Sequence, residues 1–193
     1  KSGRQSPLRM ILSMTKLPHI VWLTGMSGSG KSTLSSGLES TLLQKGYKVY
    51  VLDGDDIRGK DAIKLGYCYE DVLKNNLRVA DLCSKLRKEY DLIIVPVISP
   101  YDEIRQEVRS KLEPNFHLVY LKSDIQSLRL RDTKGLYLAA DKGLINNLIG
   151  YSEINPYDEP RNAEIIIDTG SNMTLKESGD QLLGYINKSC MLG

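Results

Sequence analysis

Eight consecutive residues limit the folds open to this chain more than any bulk property does. Gly25-Met26-Ser27-Gly28-Ser29-Gly30-Lys31-Ser32 fits GxxxxGK[ST]. The pattern works only when a strand runs into it and a helix leaves it, because the turn amides and the helix N-terminus must face one anion. Both flanks qualify: HIVWLT over 19–24 reads as a strand, and residues 31–45 have helical period and close at Gly46. A chance glycine turn would not fill every fixed position with both flanks correct. Gly25, Ser27, Gly28, Ser29, Gly30, Lys31, Ser32 and Thr33 are therefore the expected nucleoside-triphosphate contacts. Lys31 is placed to reach the outer phosphates, and the Ser32 hydroxyl suits Mg²⁺.

The chain is 193 residues long, enough for one α/β domain with a full core. Short β-branched runs at 19–24, 48–52, 92–99, 116–121 and 164–168 alternate with helical segments at 31–45, 70–89, 100–112, 124–131 and 175–187. That alternation predicts a five-stranded parallel sheet flanked by helices, a P-loop NTPase-type α/β fold. Ser123 with Gln126, and Thr174 with Glu177, have the spacing of capping boxes for the last two helices. Residues 132–160, rich in Gly, Asn and Asp with one short possible helix, are too long for an ordinary connection, a length that marks either a lid or disorder, and a lid is the expectation. Residues 1–16 lack periodicity and an apolar signal-peptide core, and read as a loose arm or a vector-derived remnant; a single kinase-type domain is expected over 17–190.

A formal net charge of +2 arises from nearly balanced acids and bases without a basic block, which argues against a nucleic-acid partner. Three cysteines lack CxxC spacing and the two histidines, His19 and His117, stand far apart, so the expectation is a reduced, cytoplasmic setting without a zinc site. Apolar runs stay well below the roughly 20 residues of a membrane-spanning helix. His117 and Trp22 are expected to be packing residues.

The acceptor must be sought elsewhere. The guanine-specifying NKxD is missing; its nearest approximation, residues 187–190, ends in cysteine. LDGDDIR follows the second predicted strand, at the carboxyl edge where ligands of such sheets gather. Its carboxylates Asp53, Asp55 and Asp56 repel one another unless a cation or hydroxyl donor shares the site, although an acidic turn in solvent has the same composition.

GMSGSGKST, LDGDDIR, LGY, ISPY, RDTKGLY and NPYDEP occur in the order and near-spacing of adenylylsulfate (APS) kinases, and over about residues 19–170 the chain resembles that family. The resemblance implies a kinase that uses ATP and Mg²⁺ to phosphorylate the 3′-hydroxyl of a nucleotide, and it implies a homodimer. It casts Asp55 as the carboxylate that orients or deprotonates the acceptor hydroxyl, partly through magnesium, with Asp53 supporting its loop. Arg58, Tyr67, Asn75, Ile98 and Leu148 become acceptor contacts, Lys134 a lid lysine near the acceptor, and Arg131 a residue facing ATP. Ser99 of ISPY falls where the family is described as carrying a phosphoserine intermediate. As an N-cap before Pro100 it has an equally good structural reading.

Departures from the family pattern cluster on the acceptor side. GFSxEDRxEN becomes GYCYEDVLKN, so Tyr67 replaces a stacking phenylalanine and Val72 an arginine. GDN becomes Gly54-Asp55-Asp56, GLN becomes Lys60-Asp61-Ala62, and the phenylalanine of FTG becomes Leu148. Losing a bidentate arginine weakens binding of an anion about tenfold to a hundredfold. Two enzyme readings result: a true APS kinase making 3′-phosphoadenylylsulfate, and a paralogue acting on another nucleotide such as cytidine diphosphoramidate, which the pocket changes favour slightly. A non-catalytic nucleotide-binding module fits least well, since Lys31, Ser32, Asp55 and Lys134 are all in place.

Overall fold

A computed structural model of the chain describes residues 17–54, 57 and 66–190. In chain order the elements are β1 (His19–Thr24), α1 (Lys31–Gln44), β2 (Val49–Val51), α2 (Tyr69–Leu86), β3 (Leu92–Pro96), α3 (Asp102–Leu112), β4 (Phe116–Lys122), α4 (Ile125–Arg131), α5 (Leu136–Asp141), β5 (Ile165–Asp168) and α6 (Leu175–Ser189). The strands form one sheet in the order β2-β3-β1-β4-β5, and every neighbouring pair is parallel. This is the five-stranded parallel α/β sheet expected from the alternation of segments.

A strand buried on both faces sends alternate side chains to opposite sides. In β1, Val21 and Leu23 pack with Leu34, Leu38 and Leu42 of α1 and Leu182 and Ile186 of α6. Ile20 and Trp22 pack on the other face with Val79, Ala80 and Cys83 of α2 and Val108 and Leu112 of α3. Two apolar layers thus hold β1 rigid from both sides, and its carboxyl end carries the phosphate-binding turn.

Element limits shift where tertiary contacts outweigh local preference. α2 stops at Leu86, short of the expected 89, because Arg87 at its C-cap turns away to donate to the carbonyls of Pro18, Leu112 and Pro114. β3 ends at Pro96 rather than at 99, and Ser99 adopts a left-handed φ of 44°. Ser99 is therefore no helix cap: α3 begins at Asp102 with Tyr101 as N-cap. The Ser123–Gln126 box is also corrected. Asp124 is the N-cap of α4 and accepts from the Ser127 amide, while Ser123 Oγ donates to the Thr169 carbonyl. The Thr174–Glu177 box forms in both directions at the start of α6.

Residues 132–160 contain only the short α5, yet they are not loose. Tyr137 and Leu148 pack on Leu128 of α4, with Met26, Ile145 and Tyr151 against them. His19 and His117, distant in sequence, come together: β1 and β4 pair in register with Val21 opposite His117, and the two imidazoles share a 2.8 Å hydrogen bond.

Candidate active site

At the carboxyl edge of β1 and β3 lies a cleft of about 520 Å³. Ser27, Gly28, Ser29, Gly30, Lys31, Ser32 and Thr33 form its floor. The turn closes because two glycines take conformations that side chains resist. Gly30, the N-cap of α1, has φ 91°. Gly25 lies beneath the turn at φ 155°, where a Cβ would sit 2.7 Å from the Leu121 carbonyl and 2.6 Å from Ser29 Oγ. Lys31 Nζ donates to the Gly25 and Met26 carbonyls at 2.8 and 2.9 Å, which arches the ammonium over the loop. Ser29 Oγ is buried and makes no hydrogen bond among the described residues.

The remaining candidates divide into those the fold brings to this cleft and those it does not. Asp53, two residues beyond β2, lines it, as does Ile98 after β3. Arg131 and Lys134 line it from α4 and the turn that follows. Much of the Arg131 guanidinium is engaged in scaffolding, donating to the carbonyls of Ser127 and Thr169 and to Ser123 Oγ. Three cationic side chains with one described carboxylate make an electrostatic setting suited to a polyphosphate.

Four of the acceptor-side candidates stand apart from the cleft. Ser99 is buried; its carbonyl accepts from Arg105 at 2.7 Å, and its Oγ has no hydrogen bond among the described residues. Tyr67 is exposed just before α2. Asn75 on α2 is 1% exposed, and neither amide atom has a partner among the described residues. Leu148 is a packing residue of the segment 132–160, buried against Leu128 and Tyr137, instead of a wall of the cleft. Asp55 and Arg58 lie outside the described residues.

The segment 132–160 is tied directly to the loop. Tyr137 Oη donates to the Ser27 carbonyl at 2.8 Å, and burial pushes this phenol up to about 12, so it is a neutral donor at physiological pH. Tyr157 Oη bonds Thr24 Oγ1 at 2.8 Å, at the end of β1. Burial raises its pKa far above the ordinary phenol value.

Sequence reasoning missed one wall. Thr169, Gly170, Ser171 and Met173 follow β5, and with Ser127, Leu130 and Thr133 they complete the cleft. The signal was present: Thr169-Gly170-Ser171 leaves the carboxyl end of a predicted strand, as LDGDDIR does, and the same edge rule applies to both.

The profile of the family described as adenylylsulphate kinase matches residues 17–168. The adenylyl-sulfate kinase of Bacillus licheniformis is 39% identical over 168 residues, 86% of this chain and 84% of that protein. The adenylyl-sulfate kinase of Staphylococcus epidermidis is also 39% identical, over 88% of this chain and 84% of its own length. Among solved structures, the Mycobacterium tuberculosis APS kinase in complex with AMPPNP and APS superposes with a TM-score of 0.77 at 31% identity, covering 89% of this chain and 98% of that one. A parallel sheet with the P-loop at its carboxyl edge, the segment 132–160 anchored on that loop through Tyr137, and this extent of identity converge on one assignment: the chain belongs to the adenylylsulphate kinase family.

Proposed function

We propose that the protein transfers the γ-phosphoryl group of ATP to the 3′-hydroxyl of adenosine 5′-phosphosulfate. The observation that carries this reading is the cleft itself, where Lys31, Ser32 and Asp53 face Arg131 and Lys134 in a chain about 39% identical to adenylyl-sulfate kinases. Phosphoryl transfer requires positioning and charge neutralisation more than covalent chemistry. The loop amides cradle the β- and γ-phosphates, Lys31 compensates their charge, and Arg131 and Lys134 supply positive charge from the lid side. The Ser32 hydroxyl and the Asp53 carboxylate are hard oxygen donors lining one cleft and fit Mg²⁺. That ion, when bound, neutralises charge shared between the β- and γ-phosphates. Asp55 orients and deprotonates the acceptor hydroxyl. We place the enzyme in the cytoplasm and expect a homodimer.

The cytidine-directed alternative stands on the pocket substitutions alone. Val72 is 1% exposed and Leu148 packs within the lid, so neither offers an anion or a base an open surface. A coupled assay of ADP release decides between the acceptors, with Mg²⁺-ATP and either adenosine 5′-phosphosulfate or cytidine diphosphoramidate, and Asp55→Ala as the blank. Turnover on the former, lost in the blank, is expected. Turnover on the cytidine compound alone overturns the proposed acceptor, and ATP binding without transfer to either compound points to the non-catalytic module.

A further inference from the structure

The amino ends of β1 and β4 and the carboxyl end of α6 meet on the side of the sheet opposite the cleft. His19 opens β1, His117 is the second residue of β4, and Cys190 is the C-cap of α6. All three are buried, and His19 Nδ1, His117 Nε2 and Cys190 Sγ lie within 4.8 Å of one another. β1 and α6 each span about 20 Å, so the cluster lies roughly that far from the phosphate-binding turn. Nothing in the proposed phosphoryl transfer uses it.

We propose that His19, His117 and Cys190 form a three-ligand zinc site that joins the amino edge of the sheet to the end of α6. Two imidazole nitrogens and a thiolate suit Zn²⁺, with a solvent molecule completing the tetrahedron. Bond lengths of about 2.0–2.1 Å to nitrogen and 2.3 Å to sulfur place tetrahedral N···S edges near 3.6 Å and N···N edges near 3.4 Å. Cys190 Sγ stands 3.7 Å from His117 Nε2, already at such an edge. His19 Nδ1 and His117 Nε2 are 2.8 Å apart, held by a hydrogen bond that the ion replaces when the rings separate by about half an ångström. His117 Nδ1 shares a 2.8 Å hydrogen bond with the Tyr185 hydroxyl, a partner of the kind that holds a ligating imidazole in one tautomer. With its proton on Nδ1, His117 presents a lone pair from Nε2. The His19 proton moves from Nδ1 to Nε2, and the Cys190 thiol releases one proton to solvent, so each ion bound frees one proton.

The test is a titration of the full chain, stripped with chelator and held in excess Mg²⁺, with Co²⁺ as the probe. The expected result is binding of one ion per chain with intense tetrahedral visible absorption and a thiolate-to-cobalt charge-transfer band, both displaced by Zn²⁺. Cys190→Ser removes the charge-transfer band, and Tyr185→Phe, which keeps all three ligands, weakens binding about 10–100-fold. A wild-type chain without the band overturns the proposal, as does a band that survives Cys190→Ser. Should Cys190→Ser not fold, the Cys68→Ser/Cys83→Ala double variant, in which Cys190 is the remaining cysteine, decides: retention of the band supports Cys190 as the ligand, and its loss overturns the site.

Discussion

The Tyr137 hydroxyl reaches back 110 residues to donate a 2.8 Å hydrogen bond to the carbonyl of Ser27 inside the phosphate-binding loop. The segment 132–160 and the phosphate-binding loop are thereby tied to each other by a direct contact. Tyr137→Phe deletes the donor and leaves the carbonyl of a buried loop residue unpaired, a loss of about 1 kcal/mol. The KM for ATP is expected to rise severalfold with kcat changed less than twofold, because the bond shapes the ground-state site. Steady-state kinetics on the two proteins checks this; an unchanged KM would show that the lid and loop are uncoupled.

Arg105 is fully buried and holds three parts of the chain together. It donates to the Ser99 carbonyl at 2.7 Å, to Asp102 Oδ1 at 3.0 Å and to the Asp158 carbonyl at 2.7 Å, and its guanidinium lies over the Tyr157 ring, 5.6 Å from the centroid. Arg105→Met fills similar volume but strands these acceptors, at a cost of about 3 kcal/mol or more. A fall in Tm of about 10 °C in calorimetry is expected. A Tm within 2 °C of the parent's would refute the role given to this arginine.

Ser99 has the position implied for a phosphorylated intermediate, yet its side chain is buried, and its neighbour Ile98 lines the cleft while Ser99 does not. Direct in-line transfer is therefore expected, and Ser99→Ala should keep kcat within about tenfold of the parent. A covalent step through this hydroxyl would abolish turnover instead, a loss of several orders of magnitude. Single-turnover assays with labelled ATP separate the two outcomes.

The thiols should differ sharply in reactivity. Cys68 is exposed before α2, whereas burial pushes the Cys83 thiol up to about 12. At pH 8 a disulfide reagent is expected to modify Cys68 first, and Cys83 only after denaturant is added. The folded thiol titrates above its ordinary 9.0, so the unfolded chain loses this proton first as pH rises. Stability from the protonated Cys83 is complete below pH 9 and is lost between about 9 and 12. Equal labelling rates for Cys68 and Cys83 in the native protein would contradict the burial argument.

The phosphate-binding turn was legible in eight residues because every requirement it meets is local: a strand end, glycines for positive φ, and the first amides of a helix. The sheet was equally legible, since strands buried on two faces leave continuous apolar runs. The acceptor side was less so. Leu148 stood in a motif position but packs into a lid core built from α4 and α5, and Ser99 resembled a cap until the chain turned left-handed to place its carbonyl on Arg105. Ser123 had cap spacing, but the Ser127 amide donates to Asp124 Oδ1 at 2.8 Å while Ser123 Oγ donates to the Thr169 carbonyl.

By itself the sequence determined the parallel α/β architecture and the phosphate-binding loop, because short-range periodicity and turn chemistry carry both. Only the tertiary structure decided which side chains surround the cleft and which sit behind it. It also decided that His19 and His117, 98 positions apart, touch. The register of β1 against β4 sets that contact, and register arises from side-chain packing across the whole sheet, which no local pattern encodes.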